Sequence, residues 1–384
     1  MSTPHLMIPG PVESEDDILA ALSQPTMPHY GPLWMPLFNE TTDLLKRLFR
    51  TSYDMLIIPG PGSGALDAAI GSMIPPGKGV VVINNGHFGK RLTQIVESYG
   101  LQPWVAEFPQ GLVANPERIR EQLKQWVAQA QRTGSSIEAL ALVQSETSTG
   151  VLNPVAEIAR VAHEFGLAVI VDAVSSLGGV ELDVDNWGID ICVGVPNKCL
   201  AAVPGVALMS VSPRAWEMAH RNPARHGWYH DLRTWAYFRE AWGAWHPYPT
   251  TLPTNVIVAL HRALVNVFEV GLETWFSSFA KTARHVREAL ALMGFNLFPD
   301  PAYAAPMISA FRVREDVVCS DLIRYLLIER NIMIGGGLDE LQGRIFRIGH
   351  MGRARLPEMA EAVLDGIHSF LISAGLPVGA ARAQ

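Results

Sequence analysis

One lysine, Lys198, lies in the segment GVPNKCLAAVPG (residues 194–205), whose other residues are small, apolar or neutral polar. Such a lysine either extends its ammonium group into water from the surface or is held as an amine in a partly desolvated pocket. The neighbouring residues give it no charged or solvated face, and desolvation lowers the pKa of an amine. The pattern therefore favours an amine that acts as a nucleophile or a base.

A glycine-rich turn between a predicted strand and a predicted helix is a second candidate. The segment IIPGPGSGALDAAI (residues 57–70) places Gly60, Gly62, Ser63 and Gly64 directly before the helix. Free backbone N–H groups at a helix N-terminus, supported by a hydroxyl group, bind phosphate. The spacing matches neither a Walker A loop nor the GxGxxG fingerprint, so an ordinary turn is the alternative interpretation.

A carboxylate at the end of a hydrophobic strand is the third candidate. Asp172 closes the apolar run in VIVDAVSSLGG (residues 169–179), where a carboxylate without a partner is costly. It can be a metal ligand, a helix cap or the partner of a protonated heterocyclic nitrogen. No histidine or second carboxylate lies nearby at ligand spacing, which disfavours the metal.

These three candidates together match the needs of one cofactor. Pyridoxal 5′-phosphate requires a phosphate site, a carboxylate at its pyridine nitrogen and an amine for its aldehyde. The turn at residues 60–64, Asp172 and Lys198 supply those groups in this order along the chain. The sequence therefore predicts pyridoxal 5′-phosphate as the cofactor.

The elements that must position these residues alternate between short β-rich runs and amphipathic runs, which predicts a mainly parallel sheet flanked by helices. The predicted strands are residues 55–58, 80–83, 139–143, 168–172, 189–194 and 206–210. The predicted helices are residues 64–73, 89–99, 116–130, 154–165 and 256–268. Most of the strands end in Gly, Pro, Ser or Asp, and open α/β sheets bind ligands at that carboxyl edge.

Composition excludes several classes of protein. The 384 residues are 48% hydrophobic, enough for a large core. The net charge of −7 and the lack of a basic cluster argue against nucleic-acid binding. Three cysteines, Cys192, Cys199 and Cys319, are too few and too scattered for a disulfide framework or a zinc site, so no metal is expected. Neither a secretory leader nor an apolar run of ~20 residues is found, which predicts a cytoplasmic protein without membrane attachment.

The organisation along the chain predicts three parts. Residues 1–20 form an N-terminal segment at the active-site mouth, and residues 21–255 form the large cofactor-binding domain. Residues 256–384 form a linking helix and a small C-terminal domain. A stretch rich in Trp, His, Tyr and Pro within residues 211–255 interrupts the alternation, and its role stays open.

Seven segments, in this order, resemble motifs of the class V aminotransferases of fold type I, in the alanine–glyoxylate / serine–glyoxylate (serine–pyruvate) branch. They are PGPGSGALDAAI, NNGHFGKR, SETSTGVLNP, VDAVSSLGG, PNKCLAAVPG, YPTTLPTN and FRIGHMG, and they span nearly the whole chain. The resemblance implies a mainly parallel seven-stranded sheet in a large domain, with a smaller α+β C-terminal domain. It also implies a homodimer with shared active sites.

The resemblance implies a role for each matching residue around the cofactor. Lys198 bonds to the cofactor aldehyde, and Asp172 keeps the pyridine nitrogen protonated. The other cofactor-binding residues are Gly62, Ser63 and Gly64 at the phosphate, Phe88 and Val174 on the two ring faces, Thr147 near the phenolic oxygen, and Tyr248 and Thr251 at the neighbouring subunit's phosphate. The alternatives are a core position for Phe88 and local turn roles for Thr147, Tyr248 and Thr251.

Two residues are implied at the substrate. Arg347 in FRIGH matches the arginine that grips the substrate carboxylate, a task that suits a planar guanidinium. Tyr30 lies in PHYGPLW (residues 28–34), where many relatives carry a His-Arg-Ser-Pro-like segment at the active-site mouth. The missing arginine leaves the choice of substrate open.

The implied reaction is a ping-pong transamination between a small amino acid, alanine or serine, and a 2-oxo acid, glyoxylate or pyruvate. PNKCL and RIGHMG also resemble pyridoxamine–pyruvate aminotransferase, so pyridoxamine or another small amine is an alternative donor. A cysteine desulfurase would need a mobile cysteine in the second domain, whereas Cys319 opens a helix-like run. A non-catalytic assembly subunit would be expected to lack Lys198 or Asp172, and both are present.

Overall fold

The chain folds around two large β-sheets, in a computed structural model that describes residues 3–379. The strands are β1 His5–Met7, β2 Asp54–Pro59, β3 Gly79–Asn84, β4 Gln102–Glu107, β5 Ile137–Val143, β6 Ser145–Glu146, β7 Val151–Leu152, β8 Ala168–Asp172, β9 Ile191–Gly194, β10 Val206–Val211, β11 Ile308–Arg312, β12 Ile332–Gly336 and β13 Ile345–Gly349. The α-helices are α1 Asp16–Leu22, α2 Met35–Phe49, α3 Gly62–Met73, α4 His87–Ser98, α5 Pro116–Arg132, α6 Val155–Glu164, α7 Val184–Trp187, α8 Pro213–Arg221, α9 Leu232–Trp242, α10 Thr254–Val270, α11 Leu272–Leu292, α12 Cys319–Arg330 and α13 Pro357–Ser373.

The larger sheet has seven strands in the order β2-β10-β9-β8-β5-β3-β4. All neighbours are parallel except β10, which runs antiparallel to both β2 and β9. The predicted mainly parallel seven-stranded sheet is therefore confirmed, and each of the six predicted strands overlaps an observed one.

Strand β8 is the element that brings the chemical groups together. All five of its residues, AVIVD, are buried, as expected for a strand covered on both faces. In the register of the sheet, Asp172 lies opposite Val143 of β5 and Val193 of β9. Since parallel strands end at one edge, Asp172 and the segment that follows β9 emerge side by side.

The smaller sheet has the order β1-β12-β13-β11 and belongs to a second, separate hydrophobic core. Its edge strand β1 pairs in parallel with β12, with His5 opposite Ile332. The predicted α+β C-terminal domain is thus present, and a strand from the start of the chain completes it. The predicted boundaries stay predictions: α1 crosses residue 20, α10 crosses residue 255, and residues 1–2 and 380–384 lie outside the described residues.

The structure contains elements that were not predicted from the sequence. Helices α8 and α9 occupy much of the aromatic stretch within residues 211–255. Strand β4 was not predicted, and it forms the edge of the larger sheet.

Within residues 3–379 no single helix is long and apolar enough to cross a membrane. Helices α10 and α11 reach that length and apolar character only when taken together, and the pair is bent by 89°.

Candidate active site

A cavity of about 420 Å³ lies at the carboxyl edge of the larger sheet. That volume is within the ~300–1,000 Å³ typical of small-molecule sites. Seven residues singled out from the sequence line it, namely Gly60, Gly62, Ser63, Phe88, Asp172, Val174 and Lys198. The glycine-rich turn, Asp172 and Lys198 belong to three separate connections of the sheet and share this one cavity.

Asp172 is a buried carboxylate whose charge is only partly compensated by the chain. One carboxylate oxygen accepts a hydrogen bond from the backbone N–H of Val174 at 2.9 Å. Burial raises the pKa of Asp172 to about 6, and the charge of Glu146 acts in the same direction. A cation placed against this carboxylate would therefore be strongly stabilised.

The amine of Lys198 is covered by the N-terminal segment. Its Nζ donates a hydrogen bond to the carbonyl oxygen of Pro9. Gly10 packs so closely that a Cβ atom there would lie 2.5 Å from Nζ, and its φ of +105° also requires glycine. Burial lowers the pKa of Lys198 to about 8, so part of the amine is unprotonated near neutral pH.

The glycine-rich turn forms the start of α3. A Cβ atom at Gly62 would lie 2.5 Å from Cγ2 of Val174, so only glycine allows the turn to approach the loop after β8 this closely. Ser63 follows with its hydroxyl group, and the backbone N–H of Gly64 donates to the carbonyl of Pro61 at 2.9 Å. The N–H groups of Gly62 and Ser63, by contrast, have no backbone acceptor among residues 3–379, which makes this end of α3 a site for an anion.

Helix α4, which carries Phe88, is fixed at its start by a buried glutamate. One carboxylate oxygen of Glu146 accepts hydrogen bonds from the backbone N–H groups of Phe88 and Gly89, each at 3.0 Å. The other oxygen accepts from the hydroxyl group of Ser148 at 2.5 Å, and that hydroxyl oxygen accepts from the backbone N–H of His87 at 3.0 Å. These hydrogen bonds to the carboxyl group of Glu146 hold Phe88 at the cavity wall.

Arg347 connects the smaller sheet to the loop of Thr147. Its Nε donates to the carbonyl oxygen of Gly336 at 2.7 Å, and its Nη1 donates to the carbonyl oxygen of Thr147 at 2.9 Å. Among residues 3–379 no oxygen accepts a hydrogen bond from its Nη2. Burial lowers the pKa of Arg347 to about 10, so the guanidinium stays charged at neutral pH. It is a buried cation with one arm free for an anion.

Six of the predicted site residues are not among those that line this cavity, namely Gly64, Thr147, Arg347, Tyr30, Tyr248 and Thr251. The ring of Tyr30 is 47% exposed and stands edge-on to Trp245, with the ring centroids 5.8 Å apart. Tyr248 is buried, and its hydroxyl group accepts a hydrogen bond from Nε1 of Trp34 at 2.7 Å and donates to the carbonyl of His29. Thr251 is exposed. The roles suggested for these residues stay predictions.

Several residues at the cavity were not singled out from the sequence. Arg91, Ser145, Ser175 and Asn197 line its wall, and each belongs to a segment that carries a predicted site residue. Arg91 is the one that helical spacing could have revealed, because it lies three positions after Phe88 on the same face of α4. Pro9 gave no signal, since its contact with Lys198 depends on the pairing of β1 with β12.

The residues present fit pyridoxal 5′-phosphate. The wall of one cavity carries a helix N-terminus with a hydroxyl group for a phosphate, a buried carboxylate for a protonated ring nitrogen and an amine with a lowered pKa. Phe88 and Val174 supply apolar surface for the faces of a planar ring. At Gly62, glycine keeps open a close approach that a larger side chain would block.

The chain is similar to proteins of known families along most of its length. The family described as Aminotransferase class-V matches residues 23–355. An uncharacterized aminotransferase of Methanocaldococcus jannaschii is 36% identical over 348 residues, which are 90% of this chain and 87% of that protein.

Solved structures show the same arrangement. The alanine–glyoxylate aminotransferase of Nostoc sp. superposes with a TM-score of 0.90 at 29% identity, over 97% of this chain and 96% of that one. The pyridoxamine–pyruvate aminotransferase of Mesorhizobium loti gives a TM-score of 0.91 at 28% identity, over 98% and 94% of the two chains. The predicted fold type I architecture is confirmed by this agreement.

Proposed function

The chain belongs to the class-V aminotransferase family and is a pyridoxal 5′-phosphate-dependent aminotransferase, and on that premise we propose that it moves the amino group of alanine or serine to glyoxylate or pyruvate. The amino acid leaves as its 2-oxo acid in a first half-reaction, and the second 2-oxo acid leaves as an amino acid in the reverse half-reaction. The observation that carries the proposal is Arg347, a buried guanidinium with one free arm, which can bind the one carboxylate of such substrates.

Pyridoxal 5′-phosphate, when bound, supplies the carbonyl carbon that takes the amino group and a ring that withdraws electrons from the reacting carbon. Gly62, Ser63 and Gly64 would hold its phosphate, and Phe88 and Val174 would hold its ring. Asp172 would keep a proton on the ring nitrogen, because its buried carboxylate is stabilised by a cation beside it.

Lys198 would act twice, as the group that anchors the cofactor and as the base. With a pKa of about 8, about a tenth of Nζ is free amine at pH 7, far more than for an ordinary lysine. Nζ would take the proton from the α-carbon of the substrate and later return a proton during the second half of the transfer. Arg347 would bind the substrate carboxylate and so orient the α-carbon toward Nζ.

The proposal is tested by a donor panel. Alanine, serine and pyridoxamine are each assayed as amino donors with glyoxylate and with pyruvate. We expect the largest kcat/KM for alanine or serine with glyoxylate or pyruvate. A large advantage for pyridoxamine over both amino acids would overturn the choice of substrate but not the family.

Pyridoxamine–pyruvate transamination is the second candidate, and the similarity to the Mesorhizobium loti enzyme favours it. Free pyridoxamine carries no phosphate, however, whereas the start of α3 offers an anion site on the cavity wall. This favours a phosphorylated cofactor that stays bound. The cysteine desulfurase alternative is disfavoured because Cys319 is buried at the start of α12 and burial raises the pKa of its thiol.

Changing Arg347 to lysine should raise the KM for amino and 2-oxo acids by roughly 10–100-fold, because a point charge replaces a fork of donors. The absorbance of the bound cofactor should stay close to that of the wild type. Arg287→Lys is the matched control, since Arg287 is also buried and donates to the carbonyls of Ala305 and Ile308. An unchanged KM in Arg347→Lys would mean that another group binds the carboxylate.

We further propose a homodimer in which Thr251 of one subunit reaches the cofactor phosphate of the other. Thr251 is exposed on its own chain, as a residue with a partner elsewhere would be. Thr251→Glu should weaken phosphate binding in the neighbouring site by charge repulsion. Mixing this variant with Lys198→Ala should restore about a quarter of the wild-type activity, because half of the dimers are hybrids with one intact site.

As the control, each variant alone is taken through the same exchange treatment, and it should stay inactive. If Thr251 acted within its own subunit, every hybrid would combine one defective site of each kind and no activity would return. A monomer with full activity in light scattering would also contradict the shared site.

A further inference from the structure

A row of four side chains connects the small domain to the phosphate turn. Asp339 lies in a short 3-10 segment, Asp339–Leu341, between β12 and β13. Its carboxylate is 2.8 Å from Nδ1 of His87 at the start of α4. Nε2 of His87 is 3.2 Å from Nη2 of Arg91, and Nη1 of Arg91 is 3.4 Å from the hydroxyl oxygen of Ser63.

The chemistry of these groups fixes the direction of each hydrogen bond. A guanidinium can only donate, so Nε2 of His87 accepts from Arg91. The proton of a neutral imidazole is then on Nδ1, which donates to the carboxylate of Asp339. Asp339 has the left-handed backbone conformation, with a φ of +47°, and its carboxylate contacts His87 of α4. The hydrogen bond from His87 lowers the pKa of Asp339, so its charge persists at neutral pH.

Arg91 is placed differently from the other arginines that stack on aromatic rings. Its guanidinium carbon is 4.8 Å from the centroid of the Phe88 ring, much as Arg118 lies 4.9 Å from the ring of Phe108. Stacking alone would account for Arg118. Arg91 also lines the cavity and extends to Ser63 at the start of α3.

We infer that Arg91 binds the phosphate of the cofactor together with Ser63, and that His87, held by Asp339, is the positioning residue for Arg91. The inference rests on pyridoxal 5′-phosphate as the cofactor and does not depend on the amino donor. A phosphate dianion beside a helix N-terminus and a hydroxyl group still lacks a counter-charge, and a guanidinium fork supplies it. Stacking on Phe88 and the bond to His87 limit the rotamers of Arg91, so less side-chain entropy is lost on binding.

The small domain thereby contributes to the phosphate site without touching the phosphate. His87 and Asp339 are partly exposed, with 28% and 34% of their side-chain surfaces accessible, and their contact joins α4 to the connection between β12 and β13. The affinity for phosphorylated ligands should therefore depend on how the two domains are joined. The affinity for an unphosphorylated ring, such as pyridoxamine, should not depend on that contact.

The experiment compares two ligands that differ only in the phosphate. Apoprotein of the full chain is titrated in a calorimeter with pyridoxamine 5′-phosphate and with pyridoxamine, neither of which carries an aldehyde for Lys198. Arg91→Gln should weaken the binding of the phosphorylated ligand by ~10-fold or more, the effect of losing a charge-assisted hydrogen bond. The affinity for pyridoxamine should change by less than ~2-fold, because this ligand has no phosphate for the guanidinium to bind.

The positioning role is tested with three further variants. His87→Ala and Asp339→Asn should each weaken pyridoxamine 5′-phosphate by roughly 3–10-fold, since Arg91 remains but is less well ordered. His87→Gln should recover most of this loss, because an amide oxygen can accept from Arg91 in place of Nε2. When Arg91→Gln is already present, adding His87→Ala should not weaken the binding of pyridoxamine 5′-phosphate any further, since His87 acts through Arg91.

The controls are matched in chemistry and distant from the site. Arg118→Gln removes a stacked arginine, and His285→Ala removes a histidine that lies 2.7 Å from Glu361 in the small domain. Both should leave the ratio of the two dissociation constants unchanged. Melting temperatures of all apoproteins identify any variant that is unfolded.

Three results would overturn the inference. One is an Arg91→Gln protein that binds both ligands as the wild type does. A second is an equal loss for both ligands, which would assign Arg91 to the ring or to the fold. A third is an additive loss in the double variant, which would separate His87 from Arg91. A wild type that binds neither ligand would instead contradict the cofactor itself.

Discussion

Replacing Lys198 by alanine is expected to lower kcat/KM by roughly 10⁴-fold or more, because one substitution removes both the anchor of the cofactor and the base. The amine has the properties that both tasks need, namely burial, a pKa of about 8 and a place on the cavity wall. The visible absorbance band of the bound cofactor should also change, since the covalent bond to Nζ cannot form. Steady-state assays with the best donor and a spectrum of the purified protein measure both effects.

Lys281→Ala is the control for this variant, because Lys281 is exposed on α11 and is not among the residues that line the cavity. It should keep the wild-type rate and spectrum. Borohydride reduction followed by peptide mass spectrometry should find the cofactor on the peptide that contains Lys198. Recovery of the cofactor on another lysine, or substantial turnover by Lys198→Ala, would refute the assigned role.

Asp172→Asn is expected to change stability and activity in opposite directions. Activity should fall by roughly 10²–10⁴-fold, since an amide cannot keep a proton on the ring nitrogen. The apoprotein, however, should become more stable at neutral pH, because the amide removes a buried charge and can still accept from the N–H of Val174. A gain in stability with a loss of function is typical of a group selected for its reactivity.

The sign of the stability change follows from the direction of the pKa shift. Burial raises the pKa of Asp172 from 3.8 to about 6, so the folded chain holds this proton more tightly than the unfolded chain does. The resulting destabilisation grows as the pH rises from 3.8 to about 6 and is complete above it. Its size is about 3 kcal/mol, since the shift is about two pKa units and each is worth about 1.4 kcal/mol.

Chemical denaturation of the two apoproteins measures this difference. Asp172→Asn should exceed the wild type in unfolding free energy at about pH 7.5, and the gap should close toward pH 4, where the wild-type carboxyl is protonated. Asp190→Asn is a useful comparison, because Asp190 is also buried but accepts hydrogen bonds from Val169 and Ser212. That variant should lose stability. If the wild type were more stable than Asp172→Asn at neutral pH, the carboxylate of Asp172 would not be destabilising.

The central part of the fold could be predicted because its physical signals are local. Strands such as β3, β5 and β8 are continuous apolar runs between turn residues, and the helices between them have a clear 3.6-residue period. Asp172 and Lys198 were identifiable for a related reason. Each is an ionisable group in an apolar run, where it needs a functional or structural explanation.

The parts that could not be predicted depend on distant contacts or on weak patterns. Strand β4 contains Pro103 and is half-exposed at the sheet edge, where proline is tolerated and the apolar pattern is diluted. Strand β1 has only three residues, and it is a strand only because β12 lies beside it. The row from Asp339 to Ser63 joins residues from three separate segments of the chain, so no window of sequence contains it.

The pairing of β1 with β12 also determines the order in which the parts of the enzyme fold. His5 faces Ile332, so the first strand must wait until nearly the whole chain has been synthesised before it can pair. The carbonyl of Pro9 reaches Lys198 only after that closure, and contacts between such distant segments form slowly. The large sheet can therefore assemble while its reactive amine still faces water. Maturation of the active site should follow the folding of the small domain, and defects in that domain should appear first as poor cofactor retention.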